Sequence, residues 1–148
     1  MSVTLDTNVL VYASNAADRW HQPALAVVER LAAGPEIAYV FWSVLLGYLR
    51  IVTHAAILPR PLSAVEAMAN IEALIDRPHI RVAGEGPGFW EAFKASADVH
   101  IRGNEVPDAH LVALMLQHGV HRIHTRDRGF RRFDGIAVLE LTEMPVHG

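Results

Sequence analysis

Cysteine is absent from this chain of 148 residues, which excludes disulfides, thiolate metal sites and thiol catalysis. No apolar run approaches ~18 residues, so no segment reads as a membrane span. Met1 to Leu5 lacks the basic start and long apolar stretch of a secretion signal. A cytoplasmic protein is the expectation. Lys94 is the only lysine, and no glycine-rich loop of the P-loop or dinucleotide type occurs. Positive charge is not in excess either: the formal net charge is −3, which gives no global pull toward nucleic acid. Any such binding must come from a local patch.

Apolar residues make up 51% of the chain, enough for a sizeable core, and the length suits one domain over residues 1–148. Short apolar stretches alternate with helical patterns. Ser2–Leu5 reads as a first strand, ended by the turn and cap formers Asp6, Thr7 and Asn8. Pro23–Ala33 carries Leu25, Val28 and Leu31 at helical spacing, and Gly34-Pro35 stops it. Ile37–Trp42 reads as a second strand, after which Ser43 caps a helix over Val44–His54. Ser63 and Glu66 form a capping box ahead of Val65, Met68, Ala69, Glu72 and Ile75, which stand at helical spacing. Ile80–Ala83 reads as a third strand and Phe89–His100 as an amphipathic helix. Pro107–His118 reads as a helix buried all round, Arg122–Thr125 as a fourth strand and Ile136–Leu141 as a fifth. This alternation predicts an α/β/α sandwich around a parallel sheet of four to five strands.

In such folds ligands bind beyond the carboxyl ends of the strands. Asp6 and Asp127 both fall there, and Asp108 opens a helix directed at the same edge. Each has a plainer role as well, as a cap or a partner of the helix dipole. Carboxylates gathered at one rim repel each other, and a divalent cation removes that cost. Oxygen-only ligands favour Mg²⁺ or Mn²⁺, which activate water and stabilise charge on a phosphoryl oxygen. Phosphodiester hydrolysis is the chemistry this points to.

Arg122, Arg126, Arg128, Arg131 and Arg132 crowd around Asp127 in sequence. Such a run is often only a solvated face. Beside a metal-binding carboxylate it becomes a grip on a phosphate backbone, with Arg126, Arg128, Arg131 and Arg132 the candidates. Other chemistries fit less well. His118, His121 and His124 hint at zinc, but Gly119 breaks the helix that would align them. His110 suits packing better than a base. Trp20, Trp42 and Trp90 suit core or interface anchors better than base-stacking platforms. A receiver-like signalling domain also gathers aspartates. It needs a paired acid after its first strand, where Thr7 and Asn8 stand here, and a late lysine.

LDTNVLVYA at 5–13, GNEVPDAHLVAL at 103–114 and HTRDRGFRRF at 124–133 together resemble the PIN-domain family, especially the toxins of bacterial VapBC toxin–antitoxin pairs. The likeness covers almost the whole chain. It implies a Mg²⁺- or Mn²⁺-dependent endoribonuclease acting on structured RNA, such as loops of transfer or ribosomal RNA. It implies a VapB-type antitoxin partner and a homodimer. It also implies that Asp6, Asp108 and Asp127 are catalytic metal ligands, supported by Asn8 and Thr125. One departure stands out. The family usually carries a glutamate in the helix after the second strand, and the matching position in WSVLLGYLR is Gly47, three residues before Arg50. Glu105 and Asp98 are candidate substitutes. The alternative is a degenerate PIN domain that binds RNA or protein without cutting.

Overall fold

The structure is a computed structural model that describes residues 2–142. The first strand, β1 (Thr4–Leu5), is short because Asp6 ends it at once by capping the next helix. That helix, α1 (Thr7–Ala13), buries Val9, Leu10 and Val11. The chain continues through α2 (His21–Ala33), β2 (Ala38–Phe41), α3 (Trp42–Val52), α4 (Ala64–Ile75) and β3 (Ile80–Ala83). It then runs through α5 (Phe89–Ser96), α6 (Glu105–Gln117) and β4 (Arg122–Thr125). A 3₁₀ turn (Arg128–Arg132) and β5 (Ala137–Glu140) follow within the described residues.

All strand pairs are parallel. Two ladders, β1-β4-β5 and β2-β3, are joined by a bridge between Val3 and Ala38. Tyr39 N–H donates to the Val3 carbonyl at 2.8 Å. The strand order is therefore β3-β2-β1-β4-β5. From β1 to β3 the chain moves one way across the sheet; from β3 to β4 it crosses back past β1. Right-handed connections then put α1–α4 on one face and α5 and α6 on the other. Val3, Val40, Phe41 and Ile123 are fully buried between the layers.

Several sequence-based boundaries move. Ser43 does not cap α3: the helix starts at Trp42, with Phe41 at the cap position and no side-chain cap bond. A strand running straight into a helix leaves no loop residue for that role. The helix read as starting at Pro107 starts at Glu105, so Pro107 is its third residue. Proline still fits, because the first turn has no N–H bonds to lose. That helix is not buried all round, since Leu116 is 38% exposed. The helix read to His100 ends at Ser96.

The Ser63–Glu66 capping box is present. The face it launches differs from the one expected. Val65 and Met68 point outward, 78% and 49% exposed, while Ala67 and Leu74 are buried. This helix is apolar on two sides, so spacing alone does not choose between them. The choice is made by α3, whose Tyr48 hydroxyl accepts from Asn70 Nδ2 at 3.0 Å. Trp42 and Trp90 are also exposed, at 48% and 62%, and are not core anchors.

Candidate active site

The strand order reverses beside β1, and the crevice at such a reversal is where open α/β sheets hold ligands. Asp6 stands at that point. Its Oδ1 accepts from the Thr7 N–H at 2.7 Å, which caps α1. Its Oδ2 accepts from the Thr125 hydroxyl at 3.0 Å. Thr125 ends β4, and its hydroxyl oxygen accepts in turn from the Asp127 N–H at 2.9 Å. Asp127 then caps the 3₁₀ turn, its Oδ1 accepting from Gly129 N–H at 2.8 Å. One buried threonine thus ties together the two acids that follow β1 and β4. Asn8, by contrast, is exposed on the first turn of α1.

Asp108 comes from the first turn of α6. The three carboxylates feel one another. Burial holds the Asp6 carboxyl above its usual range, two hydrogen bonds pull it back down, and the Asp127 charge pushes it up. Burial raises Asp108 too, helped by the charges of Asp127 and Asp6 and opposed by Arg132. A rim that costs energy in this way fits a hard cation, and the donors are all oxygen. Among the described residues, Asp108 Oδ1 and Asp127 Oδ2 accept no hydrogen bond, which leaves them for a ligand. The shell is not drawn tight, however. Among the described residues no three His, Asp or Glu side chains are grouped closely enough to enclose an ion.

Gly47 lies at this rim. A Cβ there would meet Thr7 Cγ2 and Oγ1, both at 3.3 Å, so α3 passes close to the residue after Asp6. A glutamate at 47 would begin beside the first acid but in cramped space. Gly47→Glu is expected to lose about 1–3 kcal/mol to overpacking, offset by at most ~1 kcal/mol of helix propensity. It should also bind Mn²⁺ more tightly, as read by urea unfolding and calorimetric titration. Equal affinity would mean that another carboxylate already fills the role. Glu105 and Asp98 are both exposed and line a cleft of ≈ 680 Å³ together with Arg132, Ile101, Val112 and Phe133.

The arginines do not form one open patch. Arg122 begins β4, at the opposite end from Thr125, and pairs with Glu36 at 2.7 Å. The reading that it crowds around Asp127 is corrected by the length of the strand. Arg128 and Arg131 share Glu140, at 2.8 and 3.0 Å. Arg126 lies over the Trp20 ring at 4.0 Å, and Arg19 approaches the same ring at 5.1 Å. Trp20 is therefore a platform for two guanidinium groups. Sequence reading passed over Arg19; its signal was a basic–aromatic pair in a polar loop. Arg132 turns inward onto Asp108, at 3.3 Å. Among the histidines, His118 bonds the Gly84 carbonyl and packs on Tyr39 and Phe41. His110 bonds Glu85 and meets Phe89 edge-on, a packing role.

Residues 3–136 match the PIN domain family model. The chain is 50% identical over 139 residues to ribonuclease VapC48 of Mycobacterium tuberculosis, covering 93% of this chain and 96% of that one. The chain belongs to the PIN-domain family, among its VapC ribonucleases. Ribonuclease VapC43 of the same organism is 38% identical, over 87% of this chain and 88% of its own length. In fold, this VapC-type chain is similar to VapBC2 of Rickettsia felis, solved with a promoter DNA fragment (TM-score 0.68, 15% identity, 96% and 100% covered). It is also similar to M. tuberculosis VapC20, a toxin that cleaves the sarcin–ricin loop (TM-score 0.65, 20% identity, 90% and 98% covered). Among the described residues, no helix is long and apolar enough to cross a membrane.

Proposed function

We propose that this chain is a Mg²⁺- or Mn²⁺-dependent endoribonuclease toxin that cuts structured RNA, with Asp6, Asp108 and Asp127 as its metal ligands. The observation that carries the reading is the Thr125 hydroxyl, which links Asp6 to Asp127 within range of the Asp108 charge. Bound there, a hydrated cation supplies an activated water and stabilises charge on the phosphoryl oxygen. The protein's own part is positioning. Thr125 and the α1 N-terminus fix Asp6, while Thr125 and Gly129 fix Asp127. Arg126, held over the Trp20 ring, and Arg128 and Arg131, once they leave Glu140, meet the phosphate backbone.

A VapB-type antitoxin is the proposed partner. An apolar groove of ≈ 370 Å³ runs between α1, α2, α3 and α4, lined by Leu10, Leu25, Val28, Leu45 and Leu74, with Glu29 and Arg77 also lining it. It suits the apolar face of a helix. A homodimer is proposed through Trp42 and Leu46, one turn apart and exposed on α3.

Purified protein incubated with total RNA and Mn²⁺ is expected to yield discrete fragments, and a chelator is expected to stop the cleavage. Cleavage that persists in chelator would overturn the metal reading. Binding without metal-dependent cleavage would select the alternative, a PIN domain that binds RNA or protein without cutting.

A further inference from the structure

Arg132 is positioned by three contacts. Its Nη2 donates to Asp108 Oδ2 at 3.3 Å, and its Nη1 donates to the Gly129 carbonyl at 2.7 Å. Its guanidinium carbon sits 4.6 Å from the centre of the Phe133 ring. The close fold over Gly129 depends on the missing side chain. A Cβ there would come within 2.6 Å of Arg132 Nη1 and 2.9 Å of Asp127 Oδ1. The sequence pattern Asp127-Arg128-Gly129 and Arg132 thus builds a turn that bends a cation back onto the third acid.

We propose that Arg132 is a built-in counter-ion that competes with the divalent metal for Asp108 and yields to an RNA phosphate, so that metal uptake and RNA binding are coupled. The inference rests on the metal-dependent reading above. A guanidinium and a divalent cation cannot share the carboxylate without repulsion. Phosphate offers Arg132 the same two-pronged acceptor that a carboxylate does. The pair is partly open to water, with side chains 40% and 22% exposed, so it is a contact that substrate can displace. Arg132 is accordingly a positioning residue that acts through Asp108. The loose shell around the acids follows: each carboxylate is held by a different protein donor, and Asp108 by one that carries charge.

The test is calorimetric Mn²⁺ titration of wild type, Arg132→Gln and Arg132→Lys. Each is measured alone and with a phosphorothioate RNA hairpin whose integrity is checked on a gel. Thermal melts establish that each variant is folded. Free Arg132→Gln is expected to bind Mn²⁺ about twofold to fivefold more tightly than free wild type, the range set by a partly exposed ion pair. The hairpin should tighten Mn²⁺ binding in the wild type by a similar factor and in Arg132→Gln hardly at all. Arg132→Lys, which keeps the charge, should stay near the wild type. Equal Mn²⁺ affinity of wild type and Arg132→Gln would overturn the proposal while leaving the metal reading intact. So would an Arg132→Lys affinity matching that of Arg132→Gln. If Arg132→Gln does not fold, the wild type decides: Mn²⁺ affinity indifferent to the hairpin overturns the coupling. No Mn²⁺ binding by any protein in any condition removes both readings.

Discussion

Asp6→Asn is expected to abolish RNA cleavage and leave the metal-free protein at least as stable as the wild type. Removing a partner that only orients a metal ligand typically costs about 10–100-fold in affinity or activity, and loss of a ligand should cost at least the upper end. Stability should move the other way. Asparagine caps a helix as well as aspartate does: its carbonyl oxygen can still accept from the Thr7 N–H, and its amide nitrogen then faces the Thr125 hydroxyl oxygen and can donate to it. The substitution also removes a charge that burial and Asp127 disfavour. In the folded wild type Asp6 and Asp108 hold their protons more tightly than the unfolded chain, whose value is 3.8. Their contribution to stability is therefore present at low pH and lost as pH rises through the folded pKa values. Asp6→Asn should lack its share of that loss. Saturating Mn²⁺ should reverse the ranking, because binding stabilises only the protein that holds the ion. Melting curves with and without Mn²⁺, alongside RNA cleavage, check all three statements. Cleavage at wild-type rate by Asp6→Asn would remove Asp6 from the metal site.

Acidification should weaken the protein through a different residue. His124 lies in β4 with 6% exposure, and burial lowers its pKa from 6.5 to about 4. The nearby Arg30 and Arg122 charges push the same way and Glu36 opposes them. Here the unfolded chain binds the proton more readily. The neutral ring's contribution is complete above pH 6.5 and is lost as pH falls toward about 4. A shift of this size corresponds to roughly 3 kcal/mol. That is a large part of the stability of a small domain. His124→Leu keeps a buried side chain of similar bulk and cannot take up the proton. Urea unfolding between pH 7 and 4.5 should show a steep fall in wild type that is much shallower in His124→Leu. Parallel curves would show that His124 is not the group responsible.

Much of the site was legible because aspartate at the carboxyl end of a strand is a cap and a rim residue at once. Asp6 and Asp127 follow β1 and β4, and the strands Ile80–Ala83 and Arg122–Thr125 lie where alternation put them. The capping box at Ser63 and Glu66 was legible because it is local. What stayed hidden depends on tertiary choice. The buried face of α4 was set by Tyr48 and Asn70, 22 residues apart. The inward turn of Arg132 needed the 3₁₀ geometry and an open Gly129, and a run of arginines alone suggests a solvent-facing patch. Gly47 was legible as a gap in a helix, and the structure adds what fills it, the Thr7 side chain.

The hydrogen bond from Thr125 to Asp6 spans 119 positions of the chain. It forms only after β4 has slotted in beside β1, behind everything between them. A chain that ends before Thr125 carries the first acid but cannot form this bond. Contacts this far apart are also slow to close. The proposed metal site therefore cannot assemble before β4 pairs with β1, so it belongs to the folded domain and not to any early segment of it.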